Sequence, residues 1–130
     1  MYRAVSLGSL LFDGDADPVE WVNEHDWQPV GQSRRRALAG NLHIVENPRG
    51  GRPITLYADP VYCWLSAAQV AALEAMASQV GASYTLILRP ESGPDLSKSV
   101  MFDRSQKPLD LVPEDAWGDD YSGSIYLVEV

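Results

Sequence analysis

Hydrophobic and polar residues alternate along much of this chain with the period of two that is typical of β-strands. Ile54 and Leu56 fall on one face of a strand predicted from Arg52 to Tyr57. In the last segment, Tyr121 to Val130, both faces are apolar, which predicts a central or doubly covered strand. The remaining strands are predicted in Tyr2–Phe12, Tyr84–Leu88, Lys98–Asp103 and Leu109–Val112.

A β-hairpin is predicted from Trp27 to Glu46. Leu42 and Ile44 share one face of its second strand, and Gly40-Asn41 is a favourable two-residue turn pair. The next segment, residues 47–51, is predicted to be a loop because it is rich in glycine and contains a proline.

One helix is predicted, from about Ser66 to Val80. Ser66 is a suitable N-cap, and Gln69 three residues later completes a capping box. Leu65 before the cap and Val70 after it are placed to form a hydrophobic staple. Gly81 is placed to end the helix in the left-handed conformation. The apolar positions with helical spacing are Val70, Leu73, Met76, Ala77 and Val80.

Six or seven strands with one helix predict a single domain over residues 1–130. The expected fold is mainly β, a mostly antiparallel sandwich or partly open barrel with one flanking α-helix. The length of 130 residues is typical of one domain. The strand–helix–strand order from Arg52 to Leu88 leaves a right-handed parallel crossover as the alternative, although hairpin signals favour antiparallel pairing elsewhere.

Charge and cysteine content narrow the classes of function. The chain has 10 basic and 18 acidic residues, a net charge of -8, which argues against non-specific binding to nucleic acid or to an anionic membrane. The single cysteine, Cys63, rules out an internal disulfide and suits a reducing compartment. No run of apolar residues reaches bilayer-spanning length, and we expect no signal peptide at the N-terminus.

The acidic turn Asp13–Asp17 is similar in pattern to the start of a twelve-residue calcium loop, because acidic residues occupy alternate positions. Glu24 lies where the last residue of such a loop binds calcium through both carboxylate oxygens. Pro18 occupies the position where that loop needs glycine, and Glu20 replaces an apolar residue. We therefore expect a solvated acidic turn without specific calcium binding.

No catalytic constellation is predicted. His25 lies between two carboxylates and His43 lies in a strand, while Cys63 falls among aromatic residues. No nucleophile elbow or phosphate-binding loop accompanies them. The sequence predicts no catalytic, cofactor-binding or metal-binding residue.

The one basic cluster is Arg34-Arg35-Arg36. A strand places two of these arginines on one face and the third on the other, which makes a poor nucleic-acid groove. The arginines are expected to pair with acidic groups, within the fold or on a neighbouring subunit. The predicted interface residues are Arg34, Arg35, Arg36, Asp115, Asp119 and Asp120.

Several short segments together carry a family resemblance. They are Gly51–Leu56, Trp64-Leu65-Ser66 at the start of the helix, Tyr84-Thr85-Leu86, Val100–Asp103, Pro108-Leu109 and Tyr121–Leu127. Over about residues 27–130, the chain resembles the small tail-tip or distal-tail proteins of long-tailed bacteriophages and prophages. These are related in fold to tail-tube proteins.

The resemblance implies a non-enzymatic structural protein that forms rings, with no cofactor and no catalytic residues. It implies that the partners are further copies of the chain and other phage tail proteins. The expected location is the tail of the virion, after synthesis in the bacterial cytoplasm. The N-terminal part with the acidic turn lies outside the resemblance.

A different class of function remains open. A small acidic protein of this kind also suits a stand-alone binding protein or inhibitor that occupies a basic site on its partner. An enzyme is the third alternative.

Overall fold

The computed structural model describes residues 2–12, 19–60, 65–114 and 120–130. These residues form eleven strands and one helix. In chain order, the elements are β1 (Arg3–Leu7), β2 (Leu10–Leu11), β3 (Val19–Trp21), β4 (Val30–Arg36), β5 (Leu42–Pro48), β6 (Pro53–Ala58), β7 (Leu65–Ser66), α1 (Ala67–Ala77), β8 (Tyr84–Arg89), β9 (Leu96–Phe102), β10 (Leu109–Pro113) and β11 (Asp120–Glu129).

Nine of the strands form one sheet in the order β10-β11-β6-β3-β1-β8-β9, with β2 beside β1 and β7 beside β11. The sheet closes on itself, because β11 pairs with β6 on one side and with β9 on the other. The mainly β fold with one helix is therefore confirmed. The parallel crossover is wrong, since β6 and β8 are not neighbours and all strand pairs of the described residues are antiparallel.

Several predicted boundaries differ from the structure because turns and pairings decide them. The single strand predicted over residues 2–12 is interrupted at Gly8, which has a φ of +59°, so β2 folds back on β1. In the hairpin, residues 37–41 form a longer turn than predicted, closed by the Ala37 amide donating to the Asn41 carbonyl at 2.8 Å. The segment predicted as a loop begins inside β5, which continues to Pro48 because it stays paired with β4.

The core fills the inside of the closed sheet. Ile54 and Leu56 of β6 are buried, as their alternation predicts. In β11, Ile125 and Leu127 are buried while Tyr126 is only half-buried, so this strand is central in the sheet and covered on one face. The other large side chains that are wholly buried are Leu7, Trp21, Leu65, Leu73, Leu86, Leu88 and Val100.

Helix α1 packs against one end of the closed sheet. Its capping box is present as predicted: the Gln69 amide donates to Ser66 Oγ, and the Ser66 amide donates to Gln69 Oε1. Val70 and Leu73 are buried, which confirms these two predicted core positions. Leu65, half of the predicted staple with Val70, lies in the same core cluster.

The predicted end of the helix is wrong. The helix stops at Ala77, and Val80 is fully exposed instead of packing on the sheet. Ser78 caps the last turn through its amide, and Tyr84 Oη donates to the carbonyl of Met76 at 3.0 Å. These bonds satisfy carbonyls at the C-terminus of the helix, so the chain leaves it early. Gly81 does have a positive φ, +71°, but in the turn that follows.

The two ends of the closed sheet carry different features. Along β6 and β11, Pro53 lies opposite Val128 at one end, and Ala58 lies opposite Gly123 toward the other. The second end is the helix end, because β11 continues there to pair with Ser66 before α1. Residues 49–52 connect the hairpin β4–β5 to Pro53, the first residue of β6, so the hairpin leaves the sheet from the opposite end.

Candidate interaction surface

The hairpin of β4 and β5, residues 30–48, is called the arm. Its two strands form a sheet of their own, separate from the nine-stranded sheet. Seven residue pairs join them, from Val30 opposite Pro48 to Arg36 opposite Leu42. At the rise of an antiparallel strand, seven residues extend about 23 Å. The arm is therefore a long hairpin whose described strands pair only with each other.

The arginine cluster divides between the two faces of the arm. Arg34 lies opposite Ile44 and Arg36 lies opposite Leu42, so these four side chains share one face. Arg35 lies opposite His43 on the other face. The predicted arrangement of two arginines on one face and one on the other is confirmed.

The apolar residues of the arm are exposed. Leu42 and Ile44 share a face, as predicted, but nothing in the described structure covers that face, and Ile44 has 49% of its surface exposed. On the opposite face, Val45 has 56% of its surface exposed. Leu38 in the turn is fully exposed. Exposed apolar side chains grouped on one element beside charged groups mark the arm as a candidate interaction surface.

The arm is also basic on an acidic protein. Residues 30–48 contain three arginines and one glutamate, whereas the rest of the chain contains seven basic and 17 acidic residues. Opposite charges of this kind on separate parts of one molecule favour association between copies.

Two arginine side chains of the arm, Arg34 and Arg36, bond to neutral partners. Arg34 Nε donates to Gln32 Oε1 at 2.6 Å, and Gln32 in turn donates to Glu46 Oε1 at 3.3 Å. Arg36 donates to the carbonyl of Gly40 at 3.2 Å. These bonds hold the guanidinium groups along the arm, where their charge faces solvent.

The acidic half of the predicted interface lies elsewhere. Asp120 is half-buried at the start of β11, where it pairs with Ser66 at the helix end. Asp115 and Asp119 lie outside the described residues. The structure therefore places the arginines and Asp120 on different parts of the molecule, the arm leaving from one end and Asp120 lying at the other.

The base of the arm contains a cluster that the sequence did not predict. Arg52 lies with its guanidinium carbon 4.6 Å from the ring centroid of Trp21 and 6.0 Å from that of Trp27. Arg49 lies 5.9 Å from the Trp27 ring. No local pattern in the sequence specifies these contacts, because the tryptophans precede the hairpin and the two arginines follow it.

The arm base is further fixed by Asn23. Its Oδ1 accepts from Trp21 Nε1 at 2.9 Å and from the Thr55 amide at 2.8 Å. Its Nδ2 donates to the Pro53 carbonyl at 3.1 Å. One side chain thus joins β3 to β6 at the place where the arm departs.

The candidate chemical groups are dispersed. His25 is exposed, 3.6 Å from Glu24, and His43 is on the arm. Cys63 and the acidic turn Asp13–Asp17 lie outside the described residues. A cavity of about 360 Å³ at the end of α1 is lined by Val80, Met101, Phe102 and Arg104 among others, with no histidine or carboxylate.

The described residues contain neither a metal site nor a membrane-spanning helix. No group of three or more histidine, cysteine or acidic side chains among them is placed to hold a metal ion. The helix in this part of the chain lacks the length and apolar character needed to cross a bilayer.

Comparison with known proteins gave no match, whether with models of protein families, with curated proteins or with solved structures.

Proposed function

We propose that this protein is a non-enzymatic structural subunit that assembles through its arm, with itself and with neighbouring proteins, in the tail of a long-tailed bacteriophage. The arm carries the assembly part of this proposal. A two-stranded hairpin is marginally stable alone in water and gains stability when a third strand or another surface covers it. The exposed apolar residues of the arm provide the surface to be covered.

The arrangement of the molecule supports assembly in a ring. A head-to-tail ring requires two different surfaces on each subunit, because one surface of each copy contacts the other surface of the next copy. The basic arm leaves from one end of the closed sheet, and the acidic residue Asp120 lies at the opposite end. The phage setting itself rests on the resemblance of residues 27–130 to tail-tip and distal-tail proteins.

A matched pair of substitutions tests the role of the arm. Ile44→Asp places a carboxylate on the exposed face of the arm that carries Arg34 and Arg36, whereas Val80→Asp introduces the same charge at a fully exposed site beyond α1. Sedimentation velocity over a concentration series is expected to show oligomers for the wild type and for Val80→Asp. Ile44→Asp is expected to remain monomeric, because a charge in the contact must be desolvated.

Sedimentation velocity also distinguishes assembly from the alternative function, an acidic stand-alone binding protein. The assembly proposal is contradicted if the wild-type protein stays monomeric at every concentration, both alone and when neighbouring tail proteins are added. Strong, salt-sensitive binding of that monomer to a basic partner then supports the acidic stand-alone binding protein.

The phage setting is tested separately. Mass spectrometry of tailed particles from the bacterium that carries the gene is expected to detect this chain, and a tape-measure gene is expected beside its own. Particles that lack the chain contradict the tail location without affecting the assembly result.

A further inference from the structure

We propose that the arm of one copy adds as a strand to the free edge of β10 in the next copy, with Arg34 and Arg36 beside Asp110. This inference rests on the proposed function, because it names the surface that receives the arm. Strand addition of this kind uses backbone hydrogen bonds for affinity and side chains for register.

The receiving edge belongs to β10, residues Leu109–Pro113. In the described part of the chain this strand pairs with β11 alone, so its other side presents backbone donors and acceptors without a strand beside them. Pro108 precedes the strand and Pro113 ends it, and proline has no amide hydrogen to donate. The two prolines therefore limit an added strand to the short segment between them.

The charges of β10 complement those of the arm. Asp110 and Glu114 are exposed, and their spacing places them on the same face as Val112. The segment 107–120 contains one lysine and five acidic residues, in contrast to the three arginines and one glutamate of the arm. Opposite charges on facing strands stabilise the pair, and like charges destabilise it. This pattern selects the arm–β10 contact over arm–arm pairing.

The apolar residues also correspond. Val112 has 55% of its surface exposed on the acidic face of β10. Leu42 and Ile44 share the face of Arg34 and Arg36 on the arm. A contact that places β4 and its arginines beside Asp110 puts Leu42 and Ile44 of β5 one strand farther from β10, on the same face as Val112. Exposed apolar side chains then lie on both sides of the arginines on one face of the joined sheet.

The position of β10 agrees with head-to-tail assembly. Its last residue, Pro113, lies opposite Tyr121, next to the pair of Asp120 and Ser66 at the helix end. The arm leaves from the opposite end. When the arm of one copy binds one neighbour, the β10 edge of that copy is still available to the arm of a second neighbour. The same contact can therefore form between successive copies.

Two complementary variants test this contact. In the first variant, Asp110→Arg reverses the charge of β10. In the second, the double substitution Arg34→Glu with Arg36→Glu reverses the charge of the arm. Each is expected to associate about tenfold more weakly than the wild type, since like charges then face each other. The control Glu91→Arg changes the net charge by the same amount as Asp110→Arg at another exposed position and is expected to associate normally.

Mixing the two variants gives the decisive measurement. In the mixture, wild-type arms meet wild-type β10 edges and reversed arms meet reversed edges, so native mass spectrometry is expected to show oligomers that contain both variants. Circular dichroism and thermal melting of each variant first establish that it folds. Recovery on mixing cannot arise from misfolded variants.

The outcomes separate this inference from the proposal on which it rests. If Asp110→Arg associates like the wild type while Ile44→Asp does not, the β10 contact is overturned but assembly through the arm is not. Failure of the mixture to recover association also overturns it. A wild-type monomer contradicts both proposals together.

Discussion

The guanidinium carbon of Arg52 lies 4.6 Å from the ring centroid of Trp21, at the point where the arm joins the closed sheet. Its Nη2 donates to the carbonyl of Glu24, and its own carbonyl accepts from the Glu129 amide at 2.8 Å. Arg52 thus connects the segment that enters the arm with β11. The planar guanidinium suits this position, because it stacks on an aromatic ring while donating in its own plane.

We predict that Arg52→Lys lowers the free energy of unfolding by about 1–3 kcal/mol, through loss of the stacked plane and of the hydrogen bond to Glu24. Urea titration followed by tryptophan fluorescence measures the change. The control Arg35→Lys, at an exposed position on the arm, is expected to have little effect. Equal stability of the two variants contradicts the role of Arg52 at the arm base.

The helix provides a second prediction. Leu73 is completely buried, whereas Val80 is fully exposed beyond the end of α1. Leu73→Ala is expected to lower the free energy of unfolding by about 2–5 kcal/mol, because it leaves a cavity in the core. Val80→Ala is expected to change it by less than about 0.5 kcal/mol. Denaturant titration compares them, and a small loss for Leu73→Ala contradicts the packing of the helix on the sheet.

Short-range patterns predicted the elements of this fold well. Alternation placed Ile54 and Leu56 in the core, and the spacing of Ser66 and Gln69 identified the start of the helix. These signals are local, because a strand or a cap is determined by residues within a few positions of each other. The mainly antiparallel architecture followed from them.

Sequence patterns did not predict the features that depend on residues far apart in the chain. Leu42 and Ile44 follow the pattern of a half-buried strand, yet no layer of the described structure covers them. The contact of Arg52 with Trp21 joins positions 31 residues apart in sequence, and no local pattern specifies it. Alternation indicates that a face is apolar, but it does not indicate whether the covering surface belongs to the same chain.

A third prediction concerns Asp103, which follows β9. Its Oδ1 accepts from the Ser105 hydroxyl at 2.6 Å and from the Ser105 amide at 3.0 Å. The hydroxyl bond is the main reason that the pKa of Asp103 lies below its ordinary value of 3.8. The carboxylate therefore contributes stability that is present above the unfolded pKa and is lost as pH falls through the lower, folded pKa.

Titration of the Asp103 carboxyl carbon by NMR tests this. Ser105→Ala removes the hydroxyl and is expected to raise the pKa of Asp103 toward 3.8. It is also expected to reduce the dependence of stability on pH in the acid range below that value. An unchanged pKa in the variant contradicts the assigned cause.

The last prediction concerns the order of the arm. Its interstrand hydrogen bonds are exposed on both faces, and a hairpin without a covering surface opens easily. In the Ile44→Asp protein, which we expect to be monomeric, amide hydrogens of β4 and β5 are expected to exchange rapidly. Amides of β8, which pairs with both β1 and β9, are expected to stay protected.

Association is expected to change only the arm and the edge that receives it. In wild-type oligomers, the arm amides gain protection because a second chain covers their hydrogen bonds, and amides of β10 gain protection with them. Hydrogen exchange followed by mass spectrometry, at low and high protein concentration, measures both segments together with β8 as the reference. If the arm amides of the monomeric variant are as protected as its β8 amides, the hairpin is stable by itself. That result removes the physical reason for assigning a partner to the arm.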